Sequence, residues 1–314
     1  MNINNNLENR LLIAGIQPNP LSNKNRNIIL SFYKGLGDEV LLTGIIKEIK
    51  TFYPHFNVYV ISYYPDLWKY NPYITHLTPS DLQLEKHSIL QEFYPKEHTL
   101  ISFIRKVVER SINAPIPCIL SRGEIYLDKD EKKKKPFSSL VNYQQPVFIL
   151  NIEGVLLWRT KWWIPEYAQK VIDHFKNKIQ FVQIGSSRFY HTHLNNCVNL
   201  IGKTTIRDII KLLYHSNGVL CNLGGIMHLH AALSLNTPCI VIAGGRETPK
   251  YIAYPEHVFL HTIGKIDCCN LEGCWAQYKN CKNKTTLYNK DVPVCMAKYM
   301  TPDIIINEIE KRLS

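Results

Sequence analysis

Short apolar runs recur along this chain, each ending at a turn and followed by residues with helical spacing. That rhythm limits the fold more than any other feature, because a run of consecutive apolar residues suits a strand buried on both faces, as in parallel sheets covered by helices. Ile28 to Tyr33 (I-I-L-S-F-Y) reads as such a strand, and Glu39 to Phe52 follows with helical spacing. Asn57 to Tyr63 (N-V-Y-V-I-S-Y), rich in β-branched and aromatic residues, completes a βαβ unit. Ile74 to Leu77 reads as a third strand, Leu82 to Phe93 and Thr99 to Arg110 as helices, and Glu124 to Leu127 as a strand.

Asp128 to Pro136 (D-K-D-E-K-K-K-K-P) interrupts the rhythm and reads as a solvated loop or hinge, having no apolar residue before its proline. A second series then begins. Val147 to Asn151, Ile179 to Ile184, Gly218 to Cys221, Pro238 to Ala243 and Val258 to Thr262 read as strands. Pro165 to Lys176, Thr204 to His215, Met227 to Leu235 and Pro302 to Arg312 read as helices. With 314 residues, the chain exceeds the roughly 250 to 300 at which a single core stops growing. The expected architecture is α/β: two doubly wound Rossmann-like domains, 1–145 and 146–314, facing across a cleft, the second with a Cys-rich insertion at 266–296.

The formal net charge is +11, which calls for an anionic partner: nucleic acid, a membrane surface or a phosphorylated substrate. A nucleic-acid binder is disfavoured, since no recognisable module is present. No apolar run approaches the ~20 residues of a membrane helix. The polar, Asn-rich start from Met1 to Arg10 is unlike a secretory signal, so a cytoplasmic protein is expected.

Three strand-to-helix turns carry candidate chemistry. In the first, Lys34 to Glu39 (K-G-L-G-D-E), Gly35 and Gly37 let the backbone turn tightly and approach a ligand before a helix N-terminus that favours anions. Asp38 there either caps the helix or serves as general base on an acceptor hydroxyl. In the second, Trp158 to Pro165 (W-R-T-K-W-W-I-P), Thr160 and Lys161 suit a diphosphate, and a surface loop anchored by tryptophans is the rival reading. In the third, Asn222 to His228 (N-L-G-G-I-M-H), paired glycines turn backbone N–H groups toward a phosphate, with His228 in the first helical turn. A lone histidine is more often structural than catalytic, but one beside a Gly-Gly helix start points to a ligand.

The order of these segments carries a resemblance. Gly35-Leu36-Gly37-Asp38-Glu39-Val40-Leu41-Leu42-Thr43, then Lys161-Trp162-Trp163-Ile164-Pro165, then Ile201-Gly202-Lys203-Thr204-Thr205, then Gly224-Gly225-Ile226-Met227-His228-Leu229-His230-Ala231-Ala232-Leu233 together resemble the heptosyltransferases, family 9 of the glycosyltransferases, over roughly residues 28 to 312. The resemblance implies a GT-B fold, with acceptor bound mainly by the first half and nucleotide-sugar by the second. It implies inverting transfer with no metal in the chemistry, Asp38 as base and Lys161 on the donor diphosphate. Thr160, Asn222, Gly224, Gly225, Met227 and His228 would then lie at an ADP-heptose-like donor. The family usually has an acidic residue just before the glycine pair, where it can hold sugar hydroxyls. Here that position is Leu223, leaving Asn222 to take over or a different sugar to be bound.

Of the nine cysteines, Cys118, Cys197, Cys221 and Cys239 lie in apolar segments and read as buried small hydrophobes. The other five cluster as Cys268-Cys269-x4-Cys274-x6-Cys281-x13-Cys295. In a reducing compartment such a cluster suggests metal thiolates or free thiols ahead of disulfides. Cys269, Cys274, Cys281 and Cys295 would suit tetrahedral zinc or iron, although the paired C-x2-C of zinc ribbons is missing. Gly273-Cys274-Trp275 resembles part of the iron-binding finger of heptosyltransferases that act on autotransporter proteins.

These readings converge on an enzyme transferring a heptose or similar sugar to a lipopolysaccharide or surface-glycan acceptor. Lys132 to Lys135 are a candidate contact with phosphates at a membrane face. The rivals are a protein-glycosylating heptosyltransferase with a metal-binding Cys loop, and a non-catalytic nucleotide-sugar-binding relative favoured by Leu223 and opposed by Asp38.

Overall fold

Consecutive apolar residues become parallel strands buried on both faces. A computed structural model describes residues 25–32, 35–75, 85–88 and 99–313. It divides into two units, one ending at Tyr126 and the other beginning at Leu127. The Asn-rich start, Lys34 and most of the segment 82–93 lie outside the described residues.

In the first unit β1 (Arg26–Phe32) lies between β2 (Phe56–Ser62) and β3 (Glu85–Ser88), all parallel. Helix α1 (Leu36–Phe52) crosses from β1 to β2 and buries Val40, Leu41, Leu42, Ile45, Ile46 and Ile49. It runs against the 119–124 segment closely enough that Cβ atoms cannot fit: one on Gly44 would stand 2.3 Å from the Arg122 carbonyl oxygen, and one on Gly123 2.0 Å from that of Val40. Helix α2 (Leu100–Ile112) supplies Arg105 to the buried Glu48 of α1, with Nε–Oε2 at 2.7 Å and Nη2–Oε1 at 2.9 Å. The N–H groups of Ile119 and Leu120 donate to the same carboxylate at 2.8 and 2.6 Å.

The second unit holds a six-stranded parallel sheet of β4 (Val147–Asn151), β5 (Gln180–Gln183), β6 (Val198–Asn199), β7 (Gly218–Asn222), β8 (Cys239–Gly244) and β9 (Val258–His261). Its spatial order is β6-β5-β4-β7-β8-β9, so the winding reverses between β4 and β7. That is the Rossmann order, and ligands of such sheets bind beyond the carboxyl ends of the strands at the reversal. Helices α4 (Pro165–His174), α5 (Ile206–His215), α6 (Gly225–Ala232), α7 (Pro249–Ile252), α8 (Val294–Tyr299) and α9 (Pro302–Leu313) complete the unit. No helix among the described residues is long and apolar enough to cross a membrane.

Four expectations need correction. Glu85–Ser88 is a strand, not part of a helix over 82–93: its backbone is recruited alongside Ile28–Ser31 of β1, and such pairing overrides local helical spacing. Glu124 to Leu127 joins no ladder, since the Glu124 N–H donates to the Thr43 hydroxyl at 2.7 Å rather than to a neighbouring strand. Ile74 and Thr75 follow a turn at Pro72 and Tyr73 and belong to no strand, although the Thr75 N–H donates to the Val58 carbonyl at 2.7 Å; the remainder of that expected strand lies outside the described residues. Within Asp128–Pro136, Lys129–Lys133 forms a short helix, α3, because Asp128 and Glu131 make a reciprocal capping box. Glu131 also receives Arg207 of α5, its Nε at 2.7 Å. This ties the charged segment into the second unit, which begins at Leu127.

Candidate functional site

The carboxyl ends of β4, β7 and β8 each lead into a loop and then a helix. After β4, a 3-10 turn (Leu156–Lys161) carries Thr160 and Lys161 toward Pro165, the first residue of α4. After β7, Asn222, Leu223 and Gly224 lead into α6. After β8, Gly245 to Thr248 lead into α7, with Pro249 at its first position.

These three loops assemble one charged cluster. Lys161 Nζ lies 2.7 Å from Glu247 Oε1, and the Arg246 guanidinium binds the same oxygen. Burial works to raise the Glu247 pKa, but Lys161 and Arg246 outweigh it and hold the carboxyl below the ordinary value. His228, buried in the first turn of α6, makes a 2.6 Å hydrogen bond between Nδ1 and the Tyr254 hydroxyl. Burial lowers its pKa to about 4, opposed by Glu247 and reinforced by Lys161, so at neutral pH the ring is uncharged. The Arg246 guanidinium stands 4.4 Å from the ring centre of Trp158 and 5.8 Å from that of Trp275, a cation within reach of two indoles.

Two expected donor residues, Lys161 and His228, are thus brought to one carboxylate. Others are placed differently. The Thr160 hydroxyl donates to the Ala276 carbonyl at 2.8 Å and so anchors the Cys-rich stretch. Met227 is wholly buried in the core, and Asn222 and Leu223 are buried at the end of β7. Gly224 caps α6 in extended geometry, and a Cβ there would meet only Asn222 Oδ1, at 3.7 Å. The chain itself leaves that backbone open to a close neighbour.

The Cys-rich stretch forms the wall of this cluster. Cys274 and Trp275 donate their N–H groups to the carbonyls of Gly245 and Arg246 at 2.9 and 3.1 Å. Gly244 needs its freedom at φ +61°, and a Cβ on Gly245 would stand 2.6 Å from Cys269 Sγ. Burial raises the pKa of Cys269, Cys274 and Cys295, and neighbouring thiols of the group push in the same direction. Among the described residues, however, only His230, Cys239 and His257 bring three ligand atoms within 4.8 Å of one another.

Glu247 and Arg246 escaped the sequence reading. Their signal was available: Gly244-Gly245-Arg246-Glu247-Thr248-Pro249 is a fourth strand–turn–helix junction with the same logic as the other three.

In the first unit, α1 begins at Leu36 with Gly35 as its N-cap and no side-chain cap, so the capping role weighed for Asp38 belongs to Gly35. Asp38 occupies the third helical position, its Oδ2 3.3 Å from where a Gly35 Cβ would stand. The adjacent Glu39 is buried, which raises its pKa, and it accepts hydrogen bonds from Ser62 and, at 2.7 Å, from Trp68 Nε1.

The fold of the whole chain has solved counterparts. A family 9 glycosyl transferase from Veillonella parvula matches 92% of this chain and 97% of its own, at TM-score 0.65 and 15% identity. The E. coli ADP-heptose lps heptosyltransferase II covers 91% and 98%, at TM-score 0.63 and 13% identity. TibC, a dodecameric iron-containing heptosyltransferase solved with ADP-D-beta-D-heptose, covers 92% and 77%, at TM-score 0.59 and 14% identity; the TibC of enterotoxigenic E. coli gives the same TM-score. No curated protein matches in sequence. The fold is that of the GT-B glycosyltransferases. Residues 102–257 match the model of glycosyltransferase family 9 (heptosyltransferase), and the chain belongs to that family.

Proposed function

We propose that the chain moves a heptose-like sugar, with inversion, from an ADP-sugar to a hydroxyl of an anionic surface glycan of the lipopolysaccharide type. The observation that carries this reading is the convergence of Lys161, Arg246, Glu247 and His228 beyond the carboxyl ends of β4, β7 and β8. Two cations beside one carboxylate leave a net positive charge for a diphosphate, and neutral His228 adds none. ADP-heptose in TibC and ADP in the E. coli heptosyltransferase WaaC support the choice of nucleotide. Asp38 takes the proton of the acceptor hydroxyl as its oxygen bonds to the anomeric carbon. The bond from that carbon to the diphosphate breaks, and Lys161 and Arg246 hold the departing nucleoside diphosphate. With Leu223 apolar, Glu247 is the carboxylate at hand for sugar hydroxyls.

A panel of ADP-, GDP- and UDP-sugars tests donor binding, because a ligand for the native state raises its melting temperature. ADP-sugars should shift it most, and no shift with any of the three overturns the donor assignment. Asp38→Asn should bind donor normally and lose about 10²- to 10⁴-fold in turnover. Full activity of that variant removes Asp38 from the chemistry.

A second reading, transfer to a protein acceptor with an ion on Cys269, Cys274, Cys281 and Cys295, draws on the grouping of these thiols and on the iron of TibC. All-thiol donors suit zinc or iron in kind. As folded they form no common coordination sphere, and no step of transfer is routed through an ion there.

A further inference from the structure

The interior of the second unit holds a group of ligand-type side chains that sugar transfer does not use. His230 lies on α6, Cys239 opens β8, and His257 sits in the turn before β9; all three are buried. His230 Nδ1 and His257 Nε2 are 3.1 Å apart, and one nitrogen of each ring and the Cys239 sulfur all lie within 4.8 Å of one another. A second sulfur, that of Cys221 on β7, is 4.0 Å from Cys239 Sγ. We propose that His230, Cys239 and His257 bind a structural zinc ion, with Cys221 supplying the fourth donor.

The spacing argues for it. Zinc–nitrogen bonds of about 2.0 to 2.1 Å and zinc–sulfur bonds of about 2.3 Å put tetrahedral neighbours roughly 3.3 Å apart for two nitrogens and 3.8 Å for two sulfurs. The observed separations are 3.1 and 4.0 Å. Two imidazoles and two sulfurs are a borderline-soft set that suits zinc. A second neighbour orients the ligand: His230 Nε2 lies 3.2 Å from the Thr237 hydroxyl, which leaves Nδ1 to face the ion. Binding expels the thiol protons of Cys239 and Cys221. The ion would fasten α6, the helix that presents Gly224, Gly225 and His228, to β7, β8 and the turn before β9.

The test must separate this ion from any held by the Cys-rich stretch. A variant with Cys269, Cys274, Cys281 and Cys295 all changed to Ser, purified without chelator, should retain about one equivalent of zinc by elemental analysis. Adding His257→Gln should reduce that to less than about a tenth. Cobalt(II) in the same variant should show a thiolate-to-cobalt charge-transfer band that Cys221→Ser and Cys239→Ser together abolish. Should the fourfold variant not fold, His257→Gln in the otherwise natural chain should lower bound zinc by about one equivalent. A folded fourfold variant without zinc and without the cobalt band overturns the proposal, as does unchanged zinc in His257→Gln.

Discussion

Glu48 in the first unit and Glu247 in the second are both buried glutamates facing an arginine, and they differ in what surrounds the pair. Glu48 sits in mid-helix: Arg105 grips both oxygens, and two backbone N–H groups converge on Oε1. Arg105 spends its other donors on the Leu120 carbonyl at 2.8 Å and Cys118 Sγ at 3.1 Å. Both side chains are closed off from solvent, 3% and 0% exposed, so no ligand reaches the pair. Glu247 sits in a loop at the strand ends, where Lys161 and Arg246 share one of its oxygens and the Lys161 side chain is 20% exposed. That pair has cationic capacity to spare and an edge open to solvent. A sealed ion pair fixes structure, whereas an over-supplied one at the reversal point of a sheet is equipped to take an anion.

The largest effect should come from breaking the closed pair. Arg105→Ala strands a buried carboxylate and should cost about 3 to 5 kcal/mol of stability in urea unfolding. A loss below about 1 kcal/mol would erase the contrast, since that is the level of an exposed pair. Next, Lys161→Ala should change stability little and weaken ADP-sugar binding by about 1.5 to 3 kcal/mol, the range for hydrogen bonds to charged groups. Unchanged affinity by calorimetry would place the anion elsewhere.

A further effect, spread over the acid range, is a pH dependence that sharpens the open side of the comparison. Unfolded, His228 titrates near its ordinary 6.5, and folded near 4. Between those values the unfolded chain binds a proton the folded chain refuses, so stability falls as pH falls, by up to roughly 1.4 kcal/mol per pH unit. Glu247, held below 4.5, contributes stability that is present above that value and lost as pH drops through its folded pKa. Melting temperature followed from pH 7 to pH 4 should therefore decline less steeply in His228→Gln than in the parent, measured under the same buffer conditions. Identical slopes would mean that the imidazole is not held neutral.

Much of this was legible in the residues. Ile28 to Leu30, Val147 to Leu150 and Ile240 to Ala243 are uninterrupted apolar runs, and each became a strand buried on both faces. Lys161 and His228 stood at strand-to-helix junctions, where the sheet's own geometry gathers side chains. Glu247 was harder to see, because a glutamate's burial depends on which cations arrive from distant loops. The Lys129–Lys133 helix was missed although its D-x-x-E capping box is written in the sequence, since a charge run suggests solvent first. The hairpin of β10 (Lys284–Leu287) and β11 (Lys290–Pro293) was missed because Tyr288 and Asn289 take positive φ, 50° and 58°, without the glycine that advertises such a turn. The Cys239 group was invisible because β8, α6 and the turn before β9 bring its members together only in three dimensions.

The guanidinium within reach of Trp158 and Trp275 gives the protein a built-in optical gauge. Indole emission follows the local electric field, and here two indoles sit within 5.8 Å of a fixed positive charge. An anion settling beside Arg246 partly cancels that field at both rings at once. Occupancy of the strand-end cluster can therefore be followed by intrinsic fluorescence, with no label attached and no acceptor present.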